Sequence, residues 1–131
     1  MGIWTALTRN VAQTRPGAPD PRLRGRAYAA PFAQVWDAAL AAARAMPRWT
    51  VAEPDARSGT IRAEAHTGLL KFTDDVSIRI SLDDKGMTRV DVRSASRVGS
   101  ADFGTNARRV ARFLHAVDAR LAPGASAEQN R

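Results

Sequence analysis

Between Leu69 and Leu82 the apolar residues Leu70, Phe72, Val76, Ile78, Ile80 and Leu82 all fall at even positions. Side chains alternate between faces along an extended chain, so this stretch reads as one long strand with a single face turned to a core. A helix would scatter the same residues around its axis. One residue breaks the run. Asp74 occupies an inward position, where an unpaired carboxylate costs several kcal/mol.

The strands on either side follow from the same alternation. In Thr60–His66, Ile61, Ala63 and Ala65 face inward while Arg62, Glu64 and His66 face outward. Thr67-Gly68 is expected as a two-residue turn, which would set Ala63 opposite Phe72 and Glu64 opposite Lys71. On the other side, a three-residue loop Asp84-Lys85-Gly86, with Gly86 left-handed, pairs Ile80 with Val90, Ile78 with Val92 and Arg79 with Asp91. A loop one residue longer would put Ile80 against Arg89, mixing apolar and charged groups on one face.

Helices flank this block of strands. A strand over Arg26–Ala30 leads to Pro31, suited to a first helical turn, and then to Phe32, Val35, Trp36, Ala39, Leu40, Ala43 and Met46 on one apolar stripe. Pro47 ends that helix, and Trp49–Glu53 reads as a strand. A final helix from about Thr105 to Leu121 buries Ala107, Val110, Phe113, Leu114, Val117 and Leu121. The order β-α-β-β-β-β-α predicts an α+β two-layer sandwich: a curved antiparallel sheet of about five strands with two main helices on one face. Phe32, Trp36, Trp49, Phe72 and Phe113 are expected in its core.

The expected domain occupies residues 23–122. Residues 1–22 form an N-terminal amphipathic segment and a proline-rich linker, and residues 123–131 a disordered tail. In the first segment Ile3, Trp4, Leu7 and Val11 recur at helical spacing, a candidate foot for a membrane surface or a protein partner. No stretch approaches the length of a membrane span, so a cytoplasmic chain, peripheral to the membrane at most, is expected.

Composition excludes more than it indicates. There is no cysteine, which removes disulfides, thiolate nucleophiles and cysteine-ligated metals. The net charge is +7, yet only Lys71 and Lys85 among the 20 basic residues are lysine. Arginine and alanine enrichment of this kind fits GC-rich codon usage, so the charge alone does not imply nucleic acid. Neither a cofactor nor a metal is expected.

Polar residues concentrate against the pattern at one corner. Asp74, Ser94 and Ser96 share the inward face at one end of the sheet, and Asp75, Arg93 and Arg97 share the outward face. The loop Val98–Gly104, with Asp102, leads from there into the last helix, where Asn106 and Arg109 follow. The run Arg93-Ser94-Ala95-Ser96-Arg97-Val98-Gly99, then Asp102-Phe103-Gly104, Asn106 and Arg109-Val110, resembles the signature of a bacterial family of unknown function, DUF1499. Phe72-Thr73-Asp74-Asp75-Val76 is similar to that family's paired-aspartate segment, and the likeness extends from about Leu23 to Leu121. Many relatives carry a membrane span or a cysteine-containing N-terminal segment, and this chain shows neither. The resemblance implies no activity.

Three readings of the corner stand side by side. In the first, Asp75 and Asp102 neutralise Arg93 and Arg97 while Asp74 accepts hydrogen bonds from Ser94, Ser96 or backbone donors, and the domain is a non-enzymatic binding or structural one. In the second, amides around Gly104–Asn106 with Arg97, Arg108 or Arg109 hold a carboxylate or phosphate, against the negative charge of Asp102. The third is a hydrolase using Ser94 or Ser96. It lacks a base, because His66 and His115 fall elsewhere in the pattern, and no catalytic residue is assigned.

Overall fold

The computed structural model describes residues 11–67, 72–97 and 103–121. Its strands are β1 (Val11–Gln13), β2 (Arg26–Tyr28), β3 (Trp49–Val51), β4 (Thr60–His66), β5 (Thr73–Leu82) and β6 (Thr88–Ser96). Every pairing among them is antiparallel, in one 6-stranded sheet. Helices α1 (Phe32–Ala45) and α2 (Phe103–Leu121) pack on each other and on the same face of that sheet. This is the expected α+β arrangement, with one strand more than the alternation revealed.

The inward positions of the central strands form the core. Ile61, Ala63, Ala65, Val76, Ile78, Ile80, Val90 and Val92 are buried against Val35, Trp36 and Ala39 of α1 and Val110, Phe113, Leu114 and Val117 of α2. Trp49 of β3 stacks on Phe113 at 5.5 Å between ring centres, which fixes the start of β3 against the middle of α2.

The β5–β6 hairpin has the expected register: Ile80 opposite Val90, Ile78 opposite Val92 and Arg79 opposite Asp91. Gly86 takes φ 77°, the left-handed conformation the loop demands. The β4–β5 turn differs. Glu64 lies opposite Asp75 and Ala63 opposite Val76, so the two-residue turn at Thr67-Gly68 is replaced by a longer connection. Thr67 closes it, its N–H donating to the Phe72 carbonyl at 2.8 Å and its Oγ1 accepting from the Phe72 N–H at 2.9 Å. The slip is even in residue number, so inward residues stay inward.

Val11, which helical spacing groups with Ile3, Trp4 and Leu7, lies in β1 opposite Ala95. The other three fall outside the described residues, as do Leu69–Lys71, Val98–Asp102 and the tail. β1 and β2 line the same edge of β6 one after the other. Between them Thr14 bridges the gap: its N–H donates to the Val92 carbonyl at 2.9 Å, and its Oγ1 accepts from the Val92 N–H at 3.0 Å. Ala12, Ala18 and Leu23 of this region join the core, and Pro21–Leu23 forms a 3₁₀ turn capped by Asp20.

Candidate functional site

The polar corner divides into two sets on opposite faces of the sheet. The inward set is a hydrogen-bonded network. Asp74 and Ser96 are cross-strand partners, as are Val76 and Ser94, which brings the three polar groups under the first turns of α2. Arg109 Nη1 donates to Asp74 Oδ2 at 2.8 Å, to Asn106 Oδ1 at 2.9 Å and to Ser94 Oγ at 3.2 Å. Ser94 Oγ donates to Asn106 Oδ1 at 2.7 Å, and Asn106 Nδ2 donates to Ser96 Oγ at 3.0 Å. Asp74, Ser94 and Asn106 are essentially inaccessible to solvent. Among the described residues no buried side-chain nitrogen or oxygen lacks a partner. The counter-ion of Asp74 is thus Arg109, beyond the serine and backbone donors anticipated for it.

The outward set is more exposed. Arg97 donates to Asp75 through Nε at 2.9 Å and Nη2 at 2.8 Å, and to Glu64 Oε2 at 2.6 Å. All three side chains are roughly half exposed. The Arg97 hydrogen bonds, aided by the charge of Arg93, hold the Asp75 carboxyl below the usual carboxylate range. The hydrogen bonds from Asp75 and Glu64 raise the pKa of Arg97 in turn. Arg93 makes no ion pair among the described residues and borders a groove of about 720 Å³ on the outward sheet face. Asp102 lies outside the described residues.

This placement bears on the three readings unequally. Ser94 is fully buried and its hydroxyl is engaged, so it offers no reachable nucleophile. His66 has Nδ1 3.3 Å from Thr73 Oγ1 and Nε2 3.4 Å from Thr50 Oγ1, so among the described residues both ring nitrogens face threonine hydroxyls rather than a serine. Asp74, bound to a guanidinium, is a poor metal ligand.

A concave site does exist beside the network. A cleft of about 240 Å³ opens between the α1–β3 connection, the end of β4 and the first turns of α2. Among the described residues its lining includes Arg48, His66, Thr105, Arg108, Arg109 and Arg112 and contains no carboxylate. Pro47 ends α1, and the backbone then reverses through Arg48 at φ 62°, a conformation that costs a non-glycine residue about 1 kcal/mol. The turn is held by the His66 N–H donating to the Arg48 carbonyl at 2.9 Å and by Arg48 Nε donating to the His66 carbonyl at 3.2 Å. Arg108 and Arg112 are exposed and one helical turn apart. The positive end of the α2 dipole adds to their field.

Of the residues singled out in the sequence, Asp74, Ser94, Ser96, Asn106 and Arg109 meet in one network, while Asp75, Arg93 and Arg97 lie across the sheet from it. Sequence reasoning missed Arg48, Arg112 and His66 as neighbours of that corner. The pairs Arg108–Arg112 and Trp49–Phe113 carried the signal, because a ring stacked on Phe113 brings Arg48 to the helix flank. A family model described as a protein of unknown function, DUF1499, matches residues 6–117, and no curated protein matches the chain.

Proposed function

Since the chain belongs to the DUF1499 family, for which no function is described, we propose its role from geometry: it is a non-enzymatic binding domain that takes an anionic group in the arginine-lined cleft at the start of α2. One observation carries the reading. Arg48, Arg108, Arg109 and Arg112 line a small concavity whose described walls hold no acid. Like charges gathered in this way repel one another, and an anion relieves that repulsion. The catalytic alternative is weaker, since Ser94 is sealed beneath Arg109 and Ser96 Oγ is held by Asn106 Nδ2. The groove on the outward face is a poorer candidate. Its acids Glu64 and Asp75 are already engaged by Arg97, and its charges are of mixed sign.

The test is calorimetric titration of inorganic phosphate and citrate into the wild type and into an Arg108→Gln/Arg112→Gln variant. Both arginines are exposed, so the variant is expected to melt close to the parent. Its affinity is expected to fall roughly tenfold, equivalent to about 1.4 kcal/mol. Equal affinity in the two proteins would remove the cleft from consideration.

A further inference from the structure

We infer that Arg109 reads the shape of the ligand, and that the cleft takes a small multivalent oxyanion presenting two coplanar oxygens to the free edge of this guanidinium. The inference rests on the anion reading of the cleft and adds to it the residue that grips and the chemistry gripped.

Among the described residues, the three side-chain hydrogen bonds of Arg109 all leave from Nη1, toward Asp74, Ser94 and Asn106. Nε and Nη2 have no protein partner among the described residues. Because no buried side-chain nitrogen there lacks a partner, these two atoms are reached by solvent. The side chain as a whole is only 12% exposed, and it lines the cleft. A guanidinium pinned along one edge therefore turns its other edge to the concavity.

That free edge is the Nε–H/Nη2–H fork, whose parallel donors match two oxygens of a carboxylate or phosphate. Pinning matters as much as charge. Asp74 and its partners have already removed the rotational freedom that an exposed arginine would lose on binding. Asp74, Ser94 and Asn106 are thus positioning residues, acting through Arg109. Arg48, Arg108 and Arg112 supply field rather than shape. Among the described residues four arginines gather against one carboxylate behind them, a balance that favours a divalent or higher anion. A phosphate monoester and a small polycarboxylate share that chemistry.

The decisive variant is Arg109→Lys, which keeps a cation opposite Asp74 and removes the fork. Inorganic phosphate, citrate and chloride are titrated at constant ionic strength into the wild type, Arg109→Lys and Arg108→Gln/Arg112→Gln. The wild type is expected to bind phosphate or citrate at least tenfold tighter than chloride, the tighter of the two marking the ligand class. Arg109→Lys is expected to erase that preference. The double glutamine variant is expected to weaken all three anions while keeping the preference. Retention of the preference by Arg109→Lys would overturn the inference and leave the anion cleft standing, whereas a wild type that binds no multivalent anion would overturn both. Should Arg109→Lys fail to fold, the assigned Arg109 Nε–H resonance of the wild type decides. It must shift with phosphate or citrate and stay in place with chloride, and an unmoved signal rejects the fork.

Discussion

Asp74 and Asp75 are adjacent in the chain and opposite in consequence. Their side chains are 1% and 52% exposed, because one step along a strand changes the face. Removing Asp74 leaves a largely buried guanidinium without its carboxylate, and such a loss costs about 3–5 kcal/mol. Asp74→Ala is therefore expected to lower the melting temperature by roughly 10 °C or more, and Asp75→Ala, which breaks a solvent-screened pair, by far less. Thermal unfolding followed by circular dichroism checks both, and comparable losses would contradict the division of the corner into a buried and an exposed set. Arg48 separates stability from binding in another way. Its left-handed backbone is one that glycine adopts freely, so Arg48→Gly should leave stability within about 1 kcal/mol of the parent while weakening phosphate binding.

At the level of elements, two hairpins show what alternation can and cannot specify. The β5–β6 register was legible because a slip of one residue would set Ile80 against Arg89. The β4–β5 register was not, because the observed and expected pairings differ by an even number of residues and bury the same side chains. The true register even sets Glu64 against Asp75, a like-charged pair that cross-strand rules disfavour, and Arg97, just past the end of β6, offsets it. Asp74 as an inward acid was legible from parity alone. Its partnership with Arg109 was not, since it depends on how α2 is rotated over the sheet. β1 escaped notice because three residues carry too little alternation to outweigh a helical spacing. Turn glycines offer a sharper test of packing between elements. Gly59 and Gly86 both have positive φ, but a Cβ on Gly59 would collide with the Ile80 carbonyl oxygen, whereas one on Gly86 meets nothing within 4 Å. The Gly59 carbonyl also accepts from the Ile80 N–H at 2.7 Å, so the collision cannot be relieved by moving the strand away without loss of that bond. Gly86→Ala should cost about 1 kcal/mol, and Gly59→Ala roughly 2–4 kcal/mol, as read by urea unfolding.

For the whole molecule, the excess of arginine over acid makes stability depend on pH differently at the two ends of the scale. Asp75 is held low chiefly by Arg97, Asp20 by Arg22 and Asp55 by Ser58. A carboxyl whose folded pKa is depressed contributes stability above its ordinary value of about 3.9 and loses it as the pH falls through the folded pKa. Acid also removes the charge of the 13 acidic residues that offset 20 Lys and Arg, so self-repulsion grows as these pairs are lost. Stability should therefore fall below about pH 4, and Asp75→Asn should show a shallower decline there. At the alkaline end the sign reverses. Burial, and then the hydrogen bond to Asp118 at 2.5 Å, push the Tyr28 phenol above its ordinary value. A raised acid pKa contributes stability below the unfolded value, near 10, and loses it as the pH climbs toward the folded one. Tyr28 and Arg26 together fasten β2 to α2 through Asp118, so ionisation of the phenol would set two negative charges against each other at that joint. Melting temperatures measured from pH 7 to 11 should thus decline above pH 10 in the wild type. Tyr28→Phe should start lower, having lost the bond to Asp118, and decline less. Parallel curves for the two proteins would mean that the phenol does not govern the alkaline limit.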